Sequence, residues 1–175
     1  MNTDQNKHAF TQLIQENKRI IFKICNSYCP KKEERDDLAQ EIVYELWKSY
    51  HHFNPDFKFT TWMYRIALNV AISFYRKEKK SGHVFSLEEN LLELKDESEP
   101  SSETENNFSL MHRFIAELKE IDRSIVILYL DNKSYKEIAE IIGLTETNVA
   151  TRISRIKEIL RNKFSNHQKH PNGTE

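Results

Sequence analysis

The stretch from Ser134 to Phe164 constrains the chain most, because it reads as two short helices folded against each other around Gly143, one of only 3 glycines in 175 residues. Ser134 and Glu137 have the spacing of a capping box, and Ile138, Ala139 and Ile142 recur at helical intervals after it. Gly143 permits the left-handed backbone that ends a helix, and Thr145 offers a hydroxyl to cap the next one. On that second helix Val149, Ile153, Ile156 and Leu160 form one apolar stripe. It turns Thr147, Thr151 and Arg155 away from the core and sets Asn148 and Arg152 on its flank. The pattern is that of a helix-turn-helix. Hydroxyl, amide and guanidinium groups at the N-terminal end of such a helix can reach base edges in a major groove, with Lys157, Arg161 and Lys163 placed for phosphates. An ordinary helical hairpin with a solvated charged face carries similar residues, so the rest of the chain has to decide.

With 3 glycines and 4 prolines against 38% apolar residues, the chain has the composition of a helical protein with globular cores, and the expectation is an all-α fold. The N-terminus MNTDQNKHAF is polar, unlike a signal peptide, and no apolar run approaches the roughly 20 residues that a membrane helix needs. A cytoplasmic protein is expected. The 2 cysteines, Cys25 and Cys29, lie four apart on one expected helix without Cys or His neighbours, so they read as buried or half-buried thiols rather than metal ligands.

A net charge of -1 is unusual for a DNA-binding chain until its distribution is seen. Residues 1–80 carry 14 basic against 10 acidic side chains, residues 81–108 carry 1 against 8, and residues 109–175 carry 11 against 9. From Thr147 to Lys169 six basic residues face Glu158 alone. A small basic footprint opposed by an acidic middle implies weak binding to DNA by the chain alone, since counterion release supplies most non-specific affinity.

The first domain is expected over residues 1–80 as three helices. One runs from about His8 to Cys29 with Phe10, Leu13, Ile14, Ile21, Ile24, Cys25 and Tyr28 on one side, closed by Pro30. A second carries Leu38, Ile42, Leu46 and Tyr50, widened by Val43 and Trp47, and its other face gathers Asp37, Gln40, Glu41 and Glu45. The third, capped by Thr60 or Thr61, has Met63, Ile66, Ala67 and Val70 as its core stripe and a basic end at Arg76, Lys77, Lys79 and Lys80. Trp62, Tyr64, Asn69, Ser73 and Arg76 cannot all join that stripe. Aromatics beside basic groups suit unpaired bases and their backbone, although packing against the second helix would also employ Trp62 and Tyr64.

Residues 81–107, including SEPSSETENN, read as an acidic flexible linker that separates two small helical domains and could span roughly 90 Å fully extended, at about 3.3 Å per residue. Within it Ser86 and Glu89, with Leu87, Leu91, Leu92 and Leu94, could form a short amphipathic helix. The second domain is expected over residues 108–175. One of its helices carries Met111, Phe114, Ile115 and Leu118, another runs through Ile125 to Leu130, and Asp131 and Asn132 turn into the helix-turn-helix.

DDLAQEIVYELWKSYHHF, FKFTTWMYRIALNVAISFYRKEKK and LYLDNKSYKEIAEIIGLTETNVATRISRIKEIL, in this order and spacing, resemble domains two and four of the extracytoplasmic-function (ECF) sigma factors. The resemblance implies a subunit that binds core RNA polymerase, recognises promoter DNA and initiates transcription, with no catalytic residue, metal or cofactor of its own. It implies that Asp37, Gln40 and Glu41 meet the coiled coil of the β′ clamp, that the β flap is a further contact on the polymerase, and that Asn69 lies where a flipped base of the minus-ten element is captured. Trp62, Tyr64, Ser73 and Arg76 join that site, and the loop from Ser49 to Lys58 completes its pocket. Thr147, Asn148, Thr151, Arg152 and Arg155 fall to the minus-thirty-five element, while Ala150 stands where many relatives carry Arg or Lys. An anti-sigma factor, membrane-anchored in many relatives, is the regulator that the resemblance implies.

Two other readings use the same residues. A stand-alone helix-turn-helix repressor or activator would need a dimer interface or ligand pocket, neither of which the sequence marks. An enzyme built on His51, His52 and Asp56 would need converging carboxylates, and adjacent histidines point to different sides of a helix.

Overall fold

The computed structural model describes residues 3–80 and 102–169, and over them the regular structure is helical. The chain divides into two compact units, Met1–Asn90 and Leu91–Glu175. In the first, α1 (Thr3–Tyr28), α2 (Lys32–Ser49) and α3 (Phe59–Lys80) pack each against the other two, with a short 3-10 turn, Tyr50–His52, after α2. Ile24, Leu38, Ile42, Leu46, Met63 and Ala67 are fully buried between them. Cutting one of the larger of these side chains, Ile24, Leu38, Ile42, Leu46 or Met63, back to alanine would cost about 2 to 5 kcal/mol as a cavity.

At one end of this bundle an aromatic cluster fixes the approach to α3. Phe10 meets Trp47 edge-on with ring centroids 5.1 Å apart, and Tyr50, Phe53, Phe59 and Trp62 continue the cluster at 5.2 to 6.4 Å. The intervening turn is held locally: the Asp56 amide donates to Oδ1 of Asn54 at 3.0 Å and the Phe57 amide to its carbonyl at 3.1 Å. Helix α3 starts at Phe59, one residue ahead of the expected caps. Thr60 and Thr61 therefore lie inside its first turn, and the Lys58 carbonyl accepts from the amides of Thr61 and Trp62.

The buried side of α3 also differs from the expected stripe. Tyr64, Leu68 and Ala71 are buried with Met63 and Ala67, whereas Ile66 and Val70 are only half-buried. A helix packed against two neighbours buries two adjacent stripes, whereas the sequence pattern marks only one.

The second unit comprises α4 (Ser102–Ala116), α5 (Glu120–Leu130), α6 (Tyr135–Ile142) and α7 (Glu146–Lys169). Helix α4 begins six residues before the expected domain start at Phe108, so the end of the acidic stretch is helical. Acidic residues suit the positive end of a helix dipole as well as they suit a linker. The amphipathic segment expected around Ser86 to Leu94 lies outside the described residues.

Helix α5 closes in a left-handed turn at Asn132, φ 56°, where the Lys133 amide donates to Leu128 and that of Asn132 to Tyr129. The capping box at Ser134 and Glu137 is formed in both directions, and Gly143, φ 77°, ends α6 with its own amide and that of Leu144 on the Ala139 carbonyl. Thr145 Oγ1 accepts from the Asn148 amide at 3.2 Å and starts α7. Val149, Ile153 and Ile156 are buried as expected, Leu160 is half-buried, and Ile141 is buried in place of Ile142.

Arg123 on α5 is almost wholly enclosed and donates to the carbonyls of Ala116 and Leu118, tying down the end of α4. Phe164 on the last turns of α7 meets Phe114 edge-on at 5.0 Å, so α7 also supports α4.

Candidate nucleic-acid and partner interfaces

Three exposed faces carry the candidate residues. On α2, Asp37, Gln40 and Glu41 all lie at the surface within one turn and present two carboxylates and an amide together. Tyr44, 61% exposed, and the partly exposed Trp47 extend this face along the helix. With Lys7, Phe10 and Val43 they line an open, largely apolar groove of about 560 Å³ between α1 and α2. The sequence reading did not single out Tyr44, although its place one turn after Gln40 put it on the same side.

On α3, Asn69, Ser73 and Arg76 are exposed along one stripe, and Arg65, also exposed, lies one turn ahead of Asn69. Trp62 is half-buried at the head of that stripe, seated in the aromatic cluster. Tyr64 stands apart from that exposed stripe. Its exposure is 0%, because it occupies the second buried stripe of α3, so its ring presents no surface there. Within the loop from Ser49 to Lys58 one aromatic that the sequence reading did not name singly is open to solvent: Phe57, 64% exposed beside the exposed Lys58. The signal was available, since Phe57 sits in the turn between α2 and α3 rather than in a helical stripe.

His51 and His52 do not diverge as helix geometry implied. The 3-10 turn brings their rings to 3.8 Å between centroids, tilted by 43°, and both are exposed. The Asp56 backbone amide donates to Asn54 Oδ1, which fixes its place in the turn. Among the described residues no group of three or more His, Cys, Asp or Glu side chains converges to hold a metal ion. Cys25 and Cys29 are free thiols buried in the first unit, and burial pushes the Cys25 thiol up to about 12 and raises that of Cys29 as well. No helix among the described residues is long and apolar enough to cross a membrane.

On α7, Thr147, Asn148, Thr151 and Arg155 are exposed on the side away from Val149, Ile153 and Ile156. The Thr151 hydroxyl donates to the Thr147 carbonyl at 3.0 Å, which leaves its lone pairs and methyl facing outward. Arg152 is half-buried: its Nη1 lies 2.6 Å from Asp122 Oδ1 on α5 and its Nε donates to Asn148 Oδ1 at 3.0 Å. Asp122 has no counterpart in the sequence reading, because thirty residues separate it from its partner.

Two of the cations expected to meet phosphates are engaged within the unit. Lys157 donates to the Tyr129 hydroxyl at 2.8 Å and lies 4.6 Å from its ring centre, and the hydrogen bond raises its pKa. Lys163 pairs with Glu117. Arg155 and Arg161 keep exposed positions.

Both compact units match known families. Residues 13–81 match the family Sigma-70 region 2, and residues 109–160 match Sigma-70, region 4. Across 169 residues the chain is 28% identical to "ECF RNA polymerase sigma factor SigW" of Bacillus subtilis, covering 89% of each. It is 29% identical over 165 residues to "ECF RNA polymerase sigma-E factor" of Escherichia coli, covering 89% of this chain and 86% of the relative. Among solved structures, the sigma factor RpoE in complex with the anti-sigma factor NepR from Bartonella quintana has a TM-score of 0.72 at 20% identity, over 90% of this chain and 97% of that one. CnrH in complex with the cytosolic domain of CnrY has a TM-score of 0.65 at 21% identity, over 91% and 89%. With both sigma-70 regions matched in order, and with ECF relatives aligned along nearly their whole length, the chain belongs to the ECF sigma factors of the sigma-70 superfamily.

Proposed function

We infer that this chain is a sigma factor that binds core RNA polymerase, directs it to specific promoters and promotes DNA opening. The observation that carries this reading is the occurrence of region 2 and region 4 in order on two separate compact units, each with an exposed polar face. The protein acts by binding, and the chemistry of RNA synthesis belongs to the polymerase.

The face of Asp37, Gln40 and Glu41 meets the coiled coil of the β′ clamp, and the second unit meets the β flap. Asn69, Ser73 and Arg76 hold an extruded base of the minus-ten element and its backbone, with Trp62 framing the pocket and Phe57 as a stacking group on its rim. Extrusion costs a few kcal/mol of unstacking, which a stacked and hydrogen-bonded pocket can return. Thr147, Asn148, Thr151 and Arg155 read the duplex of the minus-thirty-five element, with Arg152 placed behind them. The protein works in the cytoplasm, where the polymerase is, and an anti-sigma factor holds it inactive. The two solved neighbours support that regulator, since each was captured with an anti-sigma factor or with the cytosolic domain of another protein.

Run-off transcription from a random promoter library, with core polymerase and this chain present together or singly, tests the reading. Transcripts that need both components are expected. Charge reversal with Asp37→Lys and Glu41→Lys, at two exposed positions, is expected to abolish them while the circular dichroism stays that of the parent. Sequence-selective binding to duplex DNA by the chain alone, unaffected by polymerase, would instead favour a stand-alone repressor or activator.

A further inference from the structure

One hydrogen-bond relay on the recognition helix reaches back into the body of the second unit. Asp122, in the first turn of α5, holds Arg152 at 2.6 Å, with their side chains 20% and 34% exposed. The same guanidinium turns its Nε–H to Oδ1 of Asn148, one turn earlier on α7, at 3.0 Å. A guanidinium N–H can only donate, so the atom it meets has to be the amide oxygen. That fixes which way round the exposed Asn148 amide sits: the oxygen is drawn back along α7, and Nδ2 with its two N–H groups is left toward solvent.

In a major groove, an amide held this way meets a base edge as a donor. Guanine N7 and O6, adenine N7 and thymine O4 accept from it, whereas the amino group of cytosine opposes it. We propose that Asp122 is a positioning residue for base readout: through Arg152 it holds Asn148 as a hydrogen-bond donor that selects acceptor-bearing bases and rejects cytosine at one position of the upstream element. The proposal rests on the placement of α7 in duplex DNA given under Proposed function. It also explains a second feature, that Arg152 stands on the DNA side of the unit yet has its charge compensated by Asp122, which withdraws it from the phosphate contacts.

Asn148→Asp keeps an acceptor for Arg152 Nε but replaces the outward donor with an acceptor. Asp122→Ala frees both the guanidinium and the amide it orients. Holoenzyme assembled from core polymerase and the full chain is used to select a promoter library randomised across the upstream element, and binding to a chosen duplex is followed against salt. The parent is expected to disfavour cytosine at one position by about tenfold, and Asn148→Asp to reverse that preference toward cytosine. Asp122→Ala should flatten the preference at the same position and steepen the salt dependence by about one phosphate contact, as Arg152 becomes available. Asp122→Glu, which retains the carboxylate, should restore the parent pattern. A merely structural role for Asp122 would lower affinity at every position alike and leave the salt slope unchanged.

Should Asn148→Asp, at an exposed position that leaves the Asp122–Arg152 pair intact, keep the parent's base preference, the relay is refuted even if Asp122→Ala fails to fold. Absence of any upstream selection by the parent would refute the placement of α7 itself, and with it this proposal.

Discussion

Tyr64 and Asn69 lie five residues apart on α3 and separate a residue that serves the fold from one that the proposed function assigns to DNA. Tyr64 is enclosed by the three helices and Asn69 is exposed. Tyr64→Ala should lower the stability of the first unit by about 3 to 5 kcal/mol, as expected for a large buried ring, while Asn69→Ala should stay within about 0.5. Urea unfolding of both variants checks this, and equal losses would mean that the buried face of α3 is misassigned. The thiols carry a further prediction at this scale. Burial raises the Cys25 pKa to about 12 from the ordinary 9.0, so the folded protein keeps the proton that the unfolded chain gives up. The unfolded state then binds fewer protons, and stability is full below pH 9 and falls as pH rises from about 9 toward 12. Cys25→Ser should lessen that alkaline decline, measured against the parent between pH 8 and 11. At neutral pH both thiols should react with a disulfide reagent only as fast as the unit opens. An immediate reaction in the native state would contradict their burial.

The elements were legible in the sequence where a local rule had a single outcome. The box at Ser134 and Glu137, the left-handed turn at Gly143 and the stripe on α7 formed as their spacing implied, because caps and single-faced helices are decided within a few residues. Helix α3 was less legible. It packs on both α1 and α2, so its inward side is wider than a single stripe, and Tyr64 fell within it. The same limit hid the partners of Arg152 and Lys157, which are set by how α5 lies on α7 and not by any interval along the chain. Start of α4 at Ser102 was hidden for another reason, since acidic and small polar residues describe a linker and a helix N-terminus alike. At Gly143 the structure separates backbone from packing, because nothing lies within 4 Å of where a Cβ would stand. Gly143→Ala should therefore cost the second unit only the left-handed penalty, about 1 to 2 kcal/mol. A much larger loss in thermal unfolding would reveal a steric demand that this geometry lacks.

For the whole molecule, the proposed function gives each unit its own kind of DNA face, which distinguishes a promoter-directing subunit from a simple duplex binder. The exposed stripe of α3 suits a base that has left the helix, and the outward face of α7 suits bases still paired. A net charge of -1 leaves little general attraction to DNA, so specific binding depends on the polymerase bringing both faces to the promoter together. The central claim, that docking and opening are divided between the units, is tested most directly by permanganate reactivity of minus-ten thymines. It is measured with holoenzyme carrying Asn69→Ala or Arg155→Ala, on duplex promoter and on a template already mismatched across the minus-ten region. Arg155→Ala should weaken docking on both templates, by about 1 to 3 kcal/mol if it reads a base. Asn69→Ala should dock on the duplex, fail to expose the thymines, and be rescued in part by the mismatched template. If both variants lost duplex binding equally and responded identically to the premelted template, the division of labour between α3 and α7 would be contradicted.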